Sequence, residues 1–367
     1  MYSFKLQRRL LLLTFCAANF AGSSFAQDRQ EIAVTRSGED VAAIECFGSF
    51  VSQEIFVLGG IEQTILIRTC DLSQPVLLFL HGGPGGAVMP WVDLFHTPLL
   101  EESFVVVHWD QRGAGSSFNE DLTVEDITPS KLVVDTLQLT NLLRDRFGQE
   151  KIFLTGQSWG SALGFMTIAE DSSPYHAFIP TSERVAWVRS MNMGFEWALD
   201  QAKVRGDVET QRKLKSIEPF DALDEADLTV QREVLAEYGA GDFHTEGLWD
   251  RYLSCVLEGQ SPYYTDAQVK NYLRGLELSS TAIEQPEIVG AYDLFTSHPV
   301  LDLPVHFITG AEDQNTPADL AQEYYEHLKA PAKSFTRIDG AAHMVMYDQP
   351  NAWAEALVQI RNQTPTN

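Results

Sequence analysis

The sequence predicts an α/β protein: a mostly parallel, doubly wound sheet with a helical cap inserted into it. Three observations carry this reading. From residue 75 onward, short unbroken runs of apolar and β-branched residues recur at 76–80, 104–109, 152–155, 177–179, 305–309 and 335–338. Runs this short and continuous suit strands covered on both faces. Helical patterns with readable ends lie between them, and strand-helix alternation builds a parallel sheet. From about residue 186 to 290 the alternation stops, and charged helical segments such as Glu196–Arg205 and Glu225–Glu237 follow one another without strands.

The chain starts with an address rather than with fold. Lys5, Arg8 and Arg9 form a basic start, an apolar run extends from Leu10 to about Ala21, and Ser24-Phe25-Ala26 puts small residues where a signal peptidase reads them. The apolar run is too short for a comfortable membrane span and has no stop-transfer flank. Phe15 also stands where a lipoprotein site before Cys16 would need a small residue. The expectation is a cleaved signal peptide over 1–26, a mature chain starting at Gln27, and a periplasmic or secreted protein with no membrane anchor. The sheet domain should then cover 27–185 and 291–367, with the cap at 186–290. The leader carries three basic and no acidic residues, so the net charge of −25 becomes 23 − 51 = −28 in the mature chain. A surface this acidic repels nucleic acid and anionic lipid.

The first folded element should be a hairpin over Gln53–Arg68, two β-rich segments around Gly59-Gly60, a dipeptide suited to a two-residue turn. It brings Cys46 and Cys70 together at its open end, and export permits a disulfide between them. Cys255 is left over as a buried thiol; the alternative is that all three mature cysteines stay free. Farther along, Thr128-Pro129 caps a helix that carries Leu132, Val133, Leu137 and Leu143 and ends at Gly148. The last helix starts near Asn351 and places Trp353, Leu357 and Ile360 on one face.

Gly156-Gln157-Ser158-Trp159-Gly160-Ser161 carries the chemistry. A G-x-S-x-G between a strand and a helix makes a sharp turn that points the serine outward, and the glycines remove Cβ atoms where strand and helix crowd together. A serine hydroxyl needs a base, and the base needs a carboxylate to orient it. In this kind of fold they follow the serine in the order acid, histidine. His343 lies in Gly340-Ala341-Ala342-His343, between the last strand and the last helix. His81 precedes the serine, and His108 and His306 fall inside strands. The acid should follow the penultimate strand, in Gly310-Ala311-Glu312-Asp313; Asp313 is the choice and Glu312 its alternative.

The developing oxyanion needs preorganised donors, commonly backbone N–H groups. One is expected from Trp159. The other should come from His81-Gly82-Gly83-Pro84-Gly85-Gly86, with Gly83 preferred and Gly82 beside it. The string lacks the spacing and the lysine-serine ending of a phosphate loop.

His81-Gly82-Gly83-Pro84-Gly85, Asp110-Gln111-Arg112-Gly113-Ala114-Gly115-Ser116 and the serine motif together resemble the prolyl aminopeptidase family of α/β-hydrolases. With the acid and histidine loops, the likeness covers roughly 50–180 and 300–360. It implies the α/β-hydrolase fold, a helical cap over the site, no cofactor or metal, and removal of an N-terminal residue, often proline, from a small peptide. Two departures stand out. Gln157 replaces a second glycine in the elbow, and Gly113-Ala114-Gly115-Ser116-Ser117 replaces a Gly-Cys-Gly-Arg-Ser pattern. The family grips the substrate's amine with acidic cap residues, for which Glu196 in Phe195-Glu196-Trp197 is the candidate. Rival readings are an esterase or lactonase acting on a small acyl ester with the same three residues, and an inactive binding protein, which the intact serine, acid and histidine oppose.

Overall fold

Gly59 and Gly60 set the first corner of the fold. In the computed structural model, which describes residues 50–365, both have positive φ, 53° and 81°, as a two-residue turn matching the strand twist requires. They join β1 (Phe50–Leu58) to β2 (Ile61–Thr69), which run antiparallel with Leu58 opposite Ile61. The expected leader and Cys46 lie outside the described residues, and with them the Cys46–Cys70 crosslink.

The strands β3 (Val76–Leu80), β4 (Val105–Trp109), β5 (Ile152–Ser158), β6 (Tyr175–Glu183), β7 (Val305–Gly310) and β8 (Lys333–Ile338) complete the sheet. Among the described residues it has eight strands in the order β1-β2-β4-β3-β5-β6-β7-β8. β2 meets β4 antiparallel, and every pairing beyond β4 is parallel. In β3, Leu78 and Leu80 pack into one core while Leu77 and Phe79 pack into another on the opposite face. Burial on both faces explains why the strand has no polar alternation. Two strands outrun their apolar stretches. β5 continues through Gly156 and Gln157 to Ser158, and β6 through Thr181 and Ser182 to Glu183. Their polar ends form the carboxyl edge of the sheet, which the helices cover.

After a short helical turn at Pro98–Ser103, the sheet domain carries α1 (Pro129–Phe147), whose Thr128 side chain accepts the Lys131 N–H and whose end is closed by Gly148 at φ 63°. α2 (Trp159–Glu170) follows β5 directly. Between β6 and β7 the chain runs through α3 (Trp187–Val204), α4 (Val208–Lys215), α5 (Glu225–Glu237), α6 (Leu248–Leu257) and α7 (Asp266–Ile283). This stretch has apolar clusters of its own. One holds Phe195, Ala198, Leu214, Val234 and Leu235, another Trp187, Met191, Ala222, Leu228 and Val289. Cys255, expected as a buried thiol, is half-buried on α6. α8 (Ala318–His327) follows β7, and α9 (Pro350–Gln363) closes the chain with Trp353, Leu357 and Ile360 buried.

Arg112 locks the first hairpin onto this frame. Its guanidinium holds Asp135 of α1 through Nε (2.7 Å) and Nη2 (2.9 Å), and Nη2 also reaches the Gly59 carbonyl at 3.2 Å. A buried bidentate pair of this kind fixes geometry as well as adding energy. The arginine of the Asp110–Ser116 string is therefore an architectural residue. No helix among the described residues is long and apolar enough to cross a membrane.

Candidate active site

Ser158 ends β5 and precedes α2 with φ 54° and ψ −116°. A side-chain-bearing residue at positive φ is strained, and such strain marks sharp functional turns. The flanking glycines are required by the space available. A Cβ on Gly156 would fall 2.2 Å from the Gly160 carbonyl oxygen, and one on Gly160 would fall 2.0 Å from that of Leu80. Ser161 fastens the turn by donating to the Ser158 carbonyl (2.6 Å) and accepting the Arg184 N–H (3.0 Å).

The Gly82–Gly86 loop lies directly over this elbow. A Cβ on Gly82 would stand 3.2 Å from Ser158 Cβ and 2.2 Å from Gln157 Oε1. Gly83 has φ 105°, and Gly86 N–H donates to the Gly82 carbonyl at 3.1 Å. Behind the loop, His81 and Gln111 join the three sequence strings. Gln111 N–H donates to His81 Nε2 (3.1 Å), its side-chain amide donates to the His81 carbonyl (3.0 Å), and its Oε1 accepts Trp159 Nε1–H (3.1 Å). Burial lowers the His81 pKa to about 4 despite its bond to the Gly82 carbonyl. The ring is thus neutral near pH 7. Accepting at Nε2, it carries its proton on Nδ1, 2.9 Å from the Gly82 carbonyl.

Asp313 and His343 meet as the sequence predicts. His343 Nδ1 lies 2.9 Å from Asp313 Oδ2. The other carboxylate oxygen accepts the N–H groups of Asn315 (2.8 Å) and Thr316 (2.9 Å). Thr316 Oγ lies 2.7 Å from Asp313 Oδ2, 3.1 Å from His343 Nδ1 and 3.1 Å from the Ser182 carbonyl, so it fills the space between the pair and β6. Glu312, the alternative acid, instead receives the Gly340 and Ala341 N–H groups and shapes the histidine loop. Among the described residues no hydrogen bond joins Ser158 to His343. Their loops are linked by Gln157, whose side-chain amide donates to the His343 carbonyl at 3.4 Å. Such contacts commonly tighten only when substrate binds.

Burial works to lower the His343 pKa, but the charge and hydrogen bond of Asp313, with the charge of Asp242, outweigh it and raise the imidazole above its ordinary value. Two of the acids involved went unrecognised in the sequence. Asp242 lies in the loop between α5 and α6. His343 N–H donates to the Gly241 carbonyl at 3.1 Å, and Met344 N–H to the Asp242 carbonyl at 2.8 Å. Its side chain is half-buried and accepts from Asn315 Nδ2 at 3.1 Å. Burial raises its pKa, and the His343 charge pulls against that. Glu183 is paired with Ser158 across the β5–β6 register, is 1 % exposed, and its carboxyl oxygens have no hydrogen-bond partner. Burial, with Asp313 adding to it, pushes its pKa up to about 8. Nothing in the local pattern singles out either residue, because each reaches the site through tertiary packing.

Glu196 lies on the exposed side of its helix. Its neighbour Phe195 and, two residues on, Ala198 are buried, whereas Glu196 faces solvent on α3. One residue turns a helix by about 100°, so the apolar face that docks α3 turns Glu196 outward. The acid that this helical stretch brings to His343 is Asp242. No group of three or more metal-binding side chains forms among the described residues.

Residues 77–356 match the model of the alpha/beta hydrolase family. A probable aminopeptidase of Bacillus subtilis is 28% identical over 308 residues, which spans 82% of this chain and 93% of that protein. The proline iminopeptidase of Xanthomonas citri is 36% identical over 108 residues, 29% of this chain and 31% of that one. Among solved structures, the proline iminopeptidase of Mycobacterium smegmatis superposes with a TM-score of 0.60 at 19% identity, covering 85% of this chain and 98% of that one. A proline iminopeptidase-related protein of Thermus thermophilus gives 0.58 at 21% identity, covering 86% and 98%. The two structural likenesses are matters of fold, whereas the family match takes in both the serine elbow and the histidine loop. The chain belongs to the alpha/beta hydrolase family.

Proposed function

We propose that Ser158, His343 and Asp313 form a catalytic triad and that the enzyme removes N-terminal residues from small peptides. The observation that carries this is the His343–Asp313 bond of 2.9 Å at the loop that Gln157 ties to the strained Ser158 turn. In the proposed reaction, Ser158 Oγ bonds to the carbonyl carbon as His343 Nε2 takes its proton. The oxyanion sits on the N–H groups of Trp159, which as the first residue of α2 has no acceptor within the helix, and of Gly83. Collapse breaks the C–N bond, and the leaving amine takes the proton from His343. Water then repeats the sequence, releasing the acid and restoring Ser158.

Asp242 is the proposed anchor for the substrate's ammonium group, in the role first expected of Glu196. A half-buried carboxyl beside His343 is placed to reach an amine next to the scissile carbonyl. The aminopeptidase among the relatives, matched over most of both chains, supports this choice of substrate. A charge-assisted contact of this kind is worth about 1.5–3 kcal/mol. Unblocked alanyl and prolyl naphthylamides should therefore be cleaved roughly ten- to a hundredfold faster than their N-acetylated counterparts. Asp242→Asn should remove most of that ratio. Equal rates on blocked and unblocked amides, with faster turnover of simple esters, would establish the esterase or lactonase reading instead.

We also propose that the chain is exported. The basic-apolar-small leader supports this, as does the pair of cysteines flanking the hairpin. Mass spectrometry of protein recovered from outside the inner membrane should find Gln27 as the first residue and Cys46 joined to Cys70. An intact Met1 in that protein would refute export by cleavage, and two readily alkylated thiols would refute the crosslink.

A further inference from the structure

α7 is one of the helices between β6 and β7, and it is fastened to the sheet domain at its start, middle and end. Just ahead of it, Tyr264 is buried and donates its hydroxyl to Asp110 Oδ2 at 2.6 Å. At its middle, a Cβ on Gly275 would fall 2.6 Å from the Gly113 carbonyl oxygen and 3.3 Å from Ala114 Cα. One turn on, Ser279 abuts Gly85: a Cβ built on Gly85 would stand 2.7 Å from Ser279 Cβ and 2.9 Å from the Gly275 carbonyl oxygen. Ser280 Oγ donates to the Pro84 carbonyl at 3.4 Å. At its end, Glu284 accepts from buried Arg184, two residues past Ser182, at 3.2 Å. Pro84, Gly85, Gln111, Trp159, Ser279 and Ile283 meet around a narrow crevice beside the helix.

We infer that α7 is a brace for the oxyanion loop, with Gly275 and Ser279 as its positioning residues, and not part of a lid that opens for substrate. The inference rests on the assignment of the Gly83 and Trp159 amides above. The Gly82–Gly86 loop is held between two surfaces. On one side Gly82 lies against the Ser158 elbow; on the other Gly85 lies against Ser279. A loop with φ near 105° at Gly83 and 79° at Gly85 has no conformational preference strong enough to hold its amides aimed unaided. An oxyanion donor must be within a few tenths of an ångström of its place to act. The same helix touches the Gly113–Ala114 turn, so both glycine loops depend on one rigid body.

The test uses the full-length mature enzyme with p-nitrophenyl butyrate, an ester whose turnover needs the oxyanion donors but no amine recognition. Gly275→Ala places a methyl where backbone already stands, so α7 must move off the loops. Its kcat, normalised to fluorophosphonate-titrated sites, should fall about tenfold or more while KM changes less than threefold, the signature of an interaction made only in the transition state. Inhibition by phenylboronic acid, whose serine adduct carries the tetrahedral anion, should weaken by a similar factor. Leu273→Ala, on the exposed side of α7, should leave all three values as they are. A higher KM with unchanged kcat would mean that α7 gates entry, and would overturn the brace. Should Gly275→Ala fail to fold, hydrogen exchange on the wild-type enzyme decides the matter. Residues 266–283 should be as protected before phosphonylation of Ser158 as after it, whereas protection that appears only afterwards would show a closing lid. If Ser158→Ala retains turnover, the triad reading itself has failed, which is a different outcome from unchanged kinetics in Gly275→Ala.

Discussion

Ser158→Ala should reduce turnover by several orders of magnitude and abolish labelling by a fluorophosphonate. The expectation follows from what the elbow is built to do. Ser158 is held at φ 54° between two glycines that tolerate no Cβ, and Ser161 ties its backbone to Arg184, just past the end of β6. This architecture serves a single hydroxyl, that of the largely buried Ser158. Loss of a nucleophile in an enzyme of this type typically costs about 10⁶ in kcat, because the remaining groups have nothing to activate. The fold should survive, since alanine bears the same positive φ that serine already bears. Thermal stability within a few degrees of the wild type would confirm that the loss is chemical. A folded variant keeping a tenth of the wild-type rate would remove Ser158 from the mechanism, and with it the proposed triad.

The parts of this molecule legible in the sequence are those decided locally. The Gly59-Gly60 turn, the Thr128 cap, the Gly148 stop and the serine elbow each state their geometry within a few residues. The pairing of Asp313 with His343 was legible for a related reason, since both are polar residues in loops just after strands. Other features were hidden because no short window contains them. β6 reads as a strand only over its apolar stretch at 177–179, so Glu183 fell in the unassigned residues between that strand and the cap, and its place as the register partner of Ser158 did not show. Asp242 sits in an irregular loop, and its position beside His343 is set by backbone bonds from Gly241 and Asp242 to residues about a hundred positions away. Glu196 was a candidate drawn from family likeness, which carries no helix phase: its helix buries Phe195 and Ala198 and turns Glu196 outward. The contacts of Gly275 with Gly113 and of Ser279 with Gly85 are invisible for the same reason as Asp242.

Asp313→Asn is the sharper test of how the site works, because it should change both the rate and its dependence on pH. Asp313 Oδ2 accepts from His343 Nδ1, which leaves Nε2 unprotonated and free to take the serine's proton. An asparagine at this place can present its amide N–H to Nδ1 and so favour the wrong tautomer; the corresponding change in a well-studied serine protease lowers kcat by about 10⁴. The sign of the pH effect follows from the charges around the ring. Burial lowers the His343 pKa, Asp313 and Asp242 raise it, Arg184 lowers it, and the balance in the intact site lies above the ordinary value of 6.5. The base acts only when unprotonated, so kcat/KM should fall as pH drops through a midpoint above 6.5. Removing the Asp313 charge leaves burial and Arg184 opposed by Asp242 alone, so that midpoint should move to lower pH in whatever activity remains. Asp242→Asn should move it in the same direction by less, since its charge counts for less than that of Asp313. A midpoint that stays in place in Asp313→Asn, or rises, would show that some group other than His343 supplies the base.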